Sequence, residues 1–129
     1  FHWGRVVFKN HSVFSFFCLK TGKNSQTFFH KSITFFDAQK NSILRFNNPK
    51  LKVSRIGDSW VVEGAEKNKY VKVVLEIYAT NRYDMKGGGS QVYIQYAVLP
   101  KELTIKDENM TVTLSDLGDG VGTIEDAYW

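Results

Sequence analysis

Apolar and polar residues alternate with a period of two along most of the chain, whereas a helical period near 3.6 is hard to find. The clearest stretch is residues 70–80. One of its faces carries Val71, Val73, Leu75, Ile77 and Ala79, and the other carries Tyr70, Lys72, Val74, Glu76 and Tyr78. Because successive side chains of a strand point to opposite faces, this stretch is predicted to be a half-buried β-strand.

A second alternating stretch, residues 91–99, places Val92, Ile94, Tyr96 and Val98 on the face opposite to Tyr93 and Leu99. The glycine-rich residues 81–90 between the two stretches predict a hairpin loop, so the two strands are expected to pair antiparallel. Pro100 is expected to end the second strand, because proline has no N–H to donate to a β-ladder.

The rest of the chain repeats this organisation, with short segments rich in Phe, Val, Ile and Thr between turn residues. The segments are residues 3–9, 12–20, 26–37, 43–46, 51–56, 59–63, 102–106, 110–114 and 122–125. The only helical competitor, residues 65–68, is too short for more than one turn. With about eight or nine of all these segments forming short strands, the chain is predicted to be an all-β antiparallel sandwich, immunoglobulin-like or C2-like, with a small closed barrel as the alternative.

Composition indicates one compact domain over residues 1–129: 43% of the residues are hydrophobic, 15% aromatic and 23% charged. A chain of this length buries roughly two thirds of its surface, so no metal or disulfide is needed for stability. No stretch reaches the roughly 20 apolar residues of a transmembrane helix, so no membrane span is expected in this chain. Because it opens on Phe1 rather than methionine, the chain is expected to be processed or a fragment of a longer protein.

Residues 87–90, Gly-Gly-Gly-Ser, have the composition of a flexible linker. They are either a designed linker, which shortens a loop or joins two segments, or a natural glycine-rich hairpin loop. In the first case they carry no function.

Charge is distributed unevenly along the chain. Residues 1–60 hold ten Lys or Arg and two acids, a net charge of +8, whereas residues 101–129 hold two and seven, a net charge of −5. Whether this difference is also a separation in space depends on how the last strands thread among the first.

No catalytic residue and no cofactor are predicted. Cys18, the only cysteine, alternates with Phe14 and Phe16, and an apolar environment raises the pKa of a thiol and leaves it inert. The acidic run of residues 116–126 offers oxygens that Ca²⁺ accepts, but its spacing does not match an EF-hand loop. We interpret it as a hairpin with solvated acids, so no metal site is predicted.

The predicted function is non-catalytic recognition of a protein partner, as part of a larger protein. Half-apolar outward positions, Tyr70, Val74, Tyr78 and Tyr93, offer a partner surface to bury, and a sheet edge offers a place for an added strand. The alternative is a small barrel that binds single-stranded nucleic acid through Lys50, Lys52 and Arg55, with aromatic side chains stacked on bases.

Overall fold

The computed structural model describes residues 1–20, 28–86 and 90–128 of the chain. Within these residues it contains ten β-strands and one short helix. They are β1 (His2–Phe8), β2 (Val13–Lys20), β3 (Phe28–Asp37), β4 (Ser42–Phe46), β5 (Lys50–Ile56), β6 (Ser59–Glu66), β7 (Lys69–Lys86), β8 (Ser90–Lys106), β9 (Thr111–Thr113), α1 (Leu114–Leu117) and β10 (Gly120–Tyr128).

The strands form one antiparallel sheet in the order β4-β3-β2-β1-β10-β8-β7-β6-β5, and β9 pairs with the far end of β8. The predicted all-β antiparallel class is confirmed. The edge strands β4 and β5 do not pair with each other, so the sheet is not closed into a barrel. The acidic strand β10 lies between β1 and β8, so the charge difference along the chain is not a separation into two halves in space.

The sheet folds over on itself, so that strands far apart in its order meet across the interior. Gly64 of β6 faces Ile33 of β3 so closely that a Cβ at Gly64 would overlap the Cδ1 atom of Ile33. The rings of His2 in β1 and Trp60 in β6 are 5.4 Å apart. The interior is filled by fully buried side chains, the largest being Phe14, Phe16, Phe35 and Phe46. This arrangement is that of a β-sandwich.

The hairpin of β7 and β8 is longer than the sequence predicted. Residues 81–86 are strand rather than loop, and Tyr83 is opposite Tyr93.

The expectation that Pro100 ends a strand is wrong, because β8 continues through it. Pro100 lies opposite Leu75, beside a register shift where the ladder is already irregular and a missing N–H is tolerated. The proposed linker lies, except for Ser90, outside the described residues.

Residues 65–68 form no helix, in agreement with their short length. Ala65 and Glu66 belong to β6, and Lys67 and Asn68 form the turn to β7, in which Lys67 has a left-handed φ of +54°. The helix α1 was not predicted, since four residues give no periodic signal. Its first turn is held by Asp116, whose carboxylate accepts a hydrogen bond of 2.8 Å from the backbone N–H of Thr113.

Candidate functional site

A shallow hollow of about 400 Å³ lies on the outer face of the sheet, over the four neighbouring strands β1, β10, β8 and β7. We call it the apolar hollow. It is lined by Arg5, Val7, Tyr78, Ala97, Val121, Gly122 and Thr123. Small side chains in the middle of this set, surrounded by larger ones, produce the depression.

Strand register brings these residues together. Val7 is directly opposite Val121, and Arg5 is opposite Thr123, which in turn is opposite Ala97. Directly opposite residues of antiparallel strands have their side chains on the same face, so two short rungs line the hollow.

Tyr78 reaches the hollow because of a bulge in β7. The register of β7 against β8 skips from Ile77 to Ala79, so Tyr78 has no residue opposite it. A bulge re-aims the extra side chain and changes the face of the residues that follow. Ala79 is therefore exposed, and its predicted position on the buried face with Val71 and Val73 is wrong.

The apolar hollow concentrates exposed apolar surface. Val7 is 38% exposed, Tyr78 59% and Val121 60%. Single exposed apolar side chains are normal on soluble proteins, whereas a contiguous patch marks an interaction surface. Arg5 at the rim is exposed and has no ion-pair partner among the described residues, so it is available to a carboxylate of another molecule.

The other residues predicted to bind lie elsewhere on the sheet. Tyr70, Lys50 and Lys52 line a second, smaller hollow of about 220 Å³, together with the acid Glu63. Val74 is half-buried opposite Val61 of β6. The ring of Tyr93 lies 6.0 Å from that of Tyr83 on the β7–β8 hairpin. The sequence therefore identified members of several outer surfaces, and only Tyr78 belongs to the apolar hollow.

Arg55 lies at the opposite end of β5 from Lys50 and takes part in another group of side chains. Its guanidinium carbon is 5.7 Å from the centre of the Trp60 ring and 5.2 Å from that of Tyr96. These distances are those of cation–π contacts. The predicted cationic surface of Lys50, Lys52 and Arg55 is consequently split between two ends of one strand.

Next to the ring of Trp60 lies a buried ionisable group made of His2, Asp126 and Lys20. The Nδ1 atom of His2 is 3.1 Å from Oδ1 of Asp126, but the two atoms lack the alignment of a hydrogen bond. The Nζ atom of Lys20 is 3.5 Å from the same oxygen. Burial lowers the pKa of His2, and the neighbouring Asp126 opposes this effect only in part. Burial would raise the pKa of Asp126, but His2 and Lys20 outweigh it and lower that pKa.

Cys18 completes a row across three strands, since His2 is directly opposite both Cys18 on β2 and Asp126 on β10. A thiol, an imidazole and a carboxylate in one row are the side chains of a nucleophilic site. The sulfur is inaccessible, however, because Cys18 is 0% exposed, and burial raises the pKa of its thiol to about 11. At neutral pH the thiol is protonated and closed to a substrate, so the row acts as part of the core.

The acidic run of residues 116–126 does not form a single cluster of oxygens. Asp116 caps α1, whereas Asp126 points into the interior towards His2. Among the residues that the structure describes, no group of three or more His, Cys, Asp or Glu side chains is placed to hold a metal ion.

Comparisons of the chain with protein-family models, with curated proteins and with solved structures give no significant match. In the described part of the chain, no helix has the length and apolar character needed to cross a bilayer. Function is therefore inferred from this chain's own residues.

Proposed function

We propose that this domain is a non-catalytic interaction module, comparable in role to immunoglobulin-like and C2-like sandwiches, and that the apolar hollow recognises a protein partner. The observation that carries the proposal is the convergence of Val7, Tyr78 and Val121, each more than a third exposed, around one depression. Interfaces draw most of their affinity from a few apolar or aromatic anchors that become fully desolvated.

The partner segment has two chemical requirements. An apolar side chain enters over the small floor residues Ala97 and Gly122, and an acidic group next to it pairs with Arg5. Because an exposed ion pair contributes little free energy, the apolar contact supplies most of the affinity and Arg5 supplies orientation.

Binding of single-stranded nucleic acid is less well supported. Its cations are divided, with Lys50 and Lys52 beside Glu63 and with Arg55 held over Trp60 and Tyr96. A single-strand binder needs a continuous cationic groove with aromatic side chains along it.

The test is to select peptides from a random library on the immobilised domain and to measure their affinity by fluorescence anisotropy. Selected sequences are expected to share an apolar residue next to Asp or Glu. Burying the exposed part of Tyr78 removes on the order of 100 Å² of apolar surface from water, about 2.5 kcal/mol. Since association has other costs, Tyr78→Ala is expected to weaken binding about ten- to fiftyfold.

Ile56 offers a matched control, because it is 66% exposed at the end of β5 and outside the hollow. Ile56→Ala should leave the affinity unchanged, whereas Val121→Ser should lower it. Binding should also survive a doubling of the salt concentration, since screening acts on exposed charges and not on apolar contact. Selected peptides that bind Tyr78→Ala as well as the original domain, or that dissociate when salt is doubled, contradict the proposal.

A further inference from the structure

The outer half of β7 is a strand with an unpaired edge. β6 pairs with β7 only as far as Glu76, and the last contact on that side is the hydrogen bond of 2.7 Å from the Ile77 N–H to the Asp58 carbonyl. Beyond it come the bulge residue Tyr78 and residues 79–84, which pair with β8 on one side, and no described strand lies on the other. The side chains of all seven residues are exposed. We call residues 78–84 the free edge.

We infer that the free edge, together with Met85 and Lys86, which continue β7, pairs with the same strand of a second copy of this chain, antiparallel and about a twofold axis at Tyr83, so that residues 80–86 of the two copies are opposite each other. The two sheets then join into one continuous sheet across the dimer. Unpaired N–H and C=O groups of an exposed strand are a template for such pairing.

The charge pattern selects this register. A twofold axis perpendicular to the sheet leaves each side chain on its own face of the sheet. Opposite residues must then belong to the same face, so the axis lies level with one residue, which is opposite its own copy, and not midway between two residues. Centred on Tyr83, it places Arg82 opposite Asp84 of the other copy, and does so twice. Centred on Arg82 or on Asp84, it places two like charges directly opposite each other, which is unfavourable. Centred on Asn81, it places Arg82 opposite Thr80 and Asp84 opposite Tyr78, so neither charge meets an opposite charge.

Both charged side chains are exposed to solvent and accessible to a second copy. Arg82 and Asp84 are 53% and 61% exposed, and they already form an ion pair of 3.2 Å within the strand. The two residues therefore lie on the same face of β7, as the cross-strand pairs of the dimer require. On the other face, Tyr83 would meet its own copy, with Tyr93 packed beside it at a ring distance of 6.0 Å.

Neither β5 nor β4, the two strands at the ends of the sheet, has this self-complementary pattern. On β5, pairing about Leu51 would place Lys50 opposite Lys52, and the strand contains no acid. On β4 the only charged residue is Arg45. Positive charges on an edge strand are a common defence against pairing, and these two edges carry that defence.

The experiment is sedimentation equilibrium over roughly a hundredfold range of protein concentration, with four charge variants of the full chain. A contact of this size is at the small end of interfaces, so the original chain is expected to dimerise with a dissociation constant on the order of 10–100 µM. Arg82→Asp places acids opposite acids and Asp84→Arg places cations opposite cations, so each alone should weaken dimerisation about tenfold or more.

Mixing provides the decisive arm of the experiment. Equal amounts of the Arg82→Asp and Asp84→Arg chains restore opposite charges at both pairs, so the mixture should form a heterodimer. The double variant R82D/D84R should self-associate like the original chain for the same reason. Lys52→Asp, the fourth variant, reverses a charge on the unused β5 edge and should change nothing.

Three outcomes overturn the inference: an original chain that is monomeric throughout the concentration range, single variants that associate as well as it does, or a mixture of the two single variants that stays monomeric. Each is distinguishable from failure of the proposed function, since peptide binding at the apolar hollow does not require Arg82 or Asp84.

Discussion

The close approach of Gly64 in β6 to Ile33 in β3 allows a test of whether the sheet folds over on itself. A methyl group added by Gly64→Ala would overlap Cδ1 of Ile33 and lie 3.3 Å from Cγ1 of Val71. Overpacking of this kind costs about 1–3 kcal/mol. Alanine is better than glycine in a strand by about 0.5–1 kcal/mol, so a net loss of up to about 2.5 kcal/mol of unfolding free energy is expected.

Ile33→Val is the compensating change, because it removes the overlapped atom. Ile33 is 1% exposed, and losing one buried methylene there should cost about 0.5–1.5 kcal/mol. In the double variant the methyl group added by Gly64→Ala occupies the vacated space. The overpacking cost of Gly64→Ala should then disappear, which gives a coupling free energy of about 1–3 kcal/mol between two strands that never pair.

The assay is urea unfolding monitored by tryptophan fluorescence, with the slope of free energy against urea checked for constancy among the four proteins. Gly57→Ala is the matched control, since nothing lies within 4 Å of an added Cβ there and its φ of +59° makes the cost one of backbone conformation. Ile33→Val should not rescue Gly57→Ala. If the costs of Gly64→Ala and Ile33→Val add to within about 0.5 kcal/mol, β3 and β6 do not meet and the folded-over sheet is refuted.

Three further predictions concern single side chains. Because burial lowers the pKa of His2 below its ordinary 6.5, the unfolded chain takes up a proton that the folded chain refuses. Thermal stability should therefore fall as pH drops below 6.5, and His2→Gln should flatten that dependence between pH 7 and 5; an unchanged slope would contradict the burial of a neutral His2. The Cys18 thiol, with its pKa raised from 9.0 to about 11, should react with a disulfide reagent at least about a hundredfold more slowly in the folded protein than in urea, and rapid labelling of folded protein would show that it is accessible. Tyr78→Ala should change the unfolding free energy by less than about 0.5 kcal/mol, because Tyr78 is 59% exposed; a larger loss would mean that it supports the fold.

The sequence was sufficient for strands and faces wherever the ladder is regular. Val71, Val73 and Leu75 are buried as the alternation predicted, and so are Ile94, Tyr96 and Val98 on the paired strand. Alternation is a local property of the backbone, so it can be read from neighbouring residues alone.

The buried group of His2 and Asp126 shows where that reading ends. These residues are opposite each other on β1 and β10, although 124 positions separate them in the chain. Which strands become neighbours depends on the whole topology, and no local pattern encodes it. In the sequence, Asp126 is one of several acids in the run of residues 116–126, and no pattern singles out His2.

One inserted residue, Tyr78 at the bulge of β7, determines which side chains form the apolar hollow and which form the free edge. Without the bulge at Tyr78, odd-numbered residues of β7 would remain on the buried face to the end of the hairpin, as Val73 and Leu75 do. The shift exposes Tyr78 over the hollow and transfers Ala79 and Tyr83 to the outer face, where Tyr83 packs against Tyr93. It also places Arg82 and Asp84 on the other face of β7, where they are opposite Ile94 and Val92 of β8. Since a one-residue change of register moves every later side chain to the opposite face, both surfaces depend on this one irregularity.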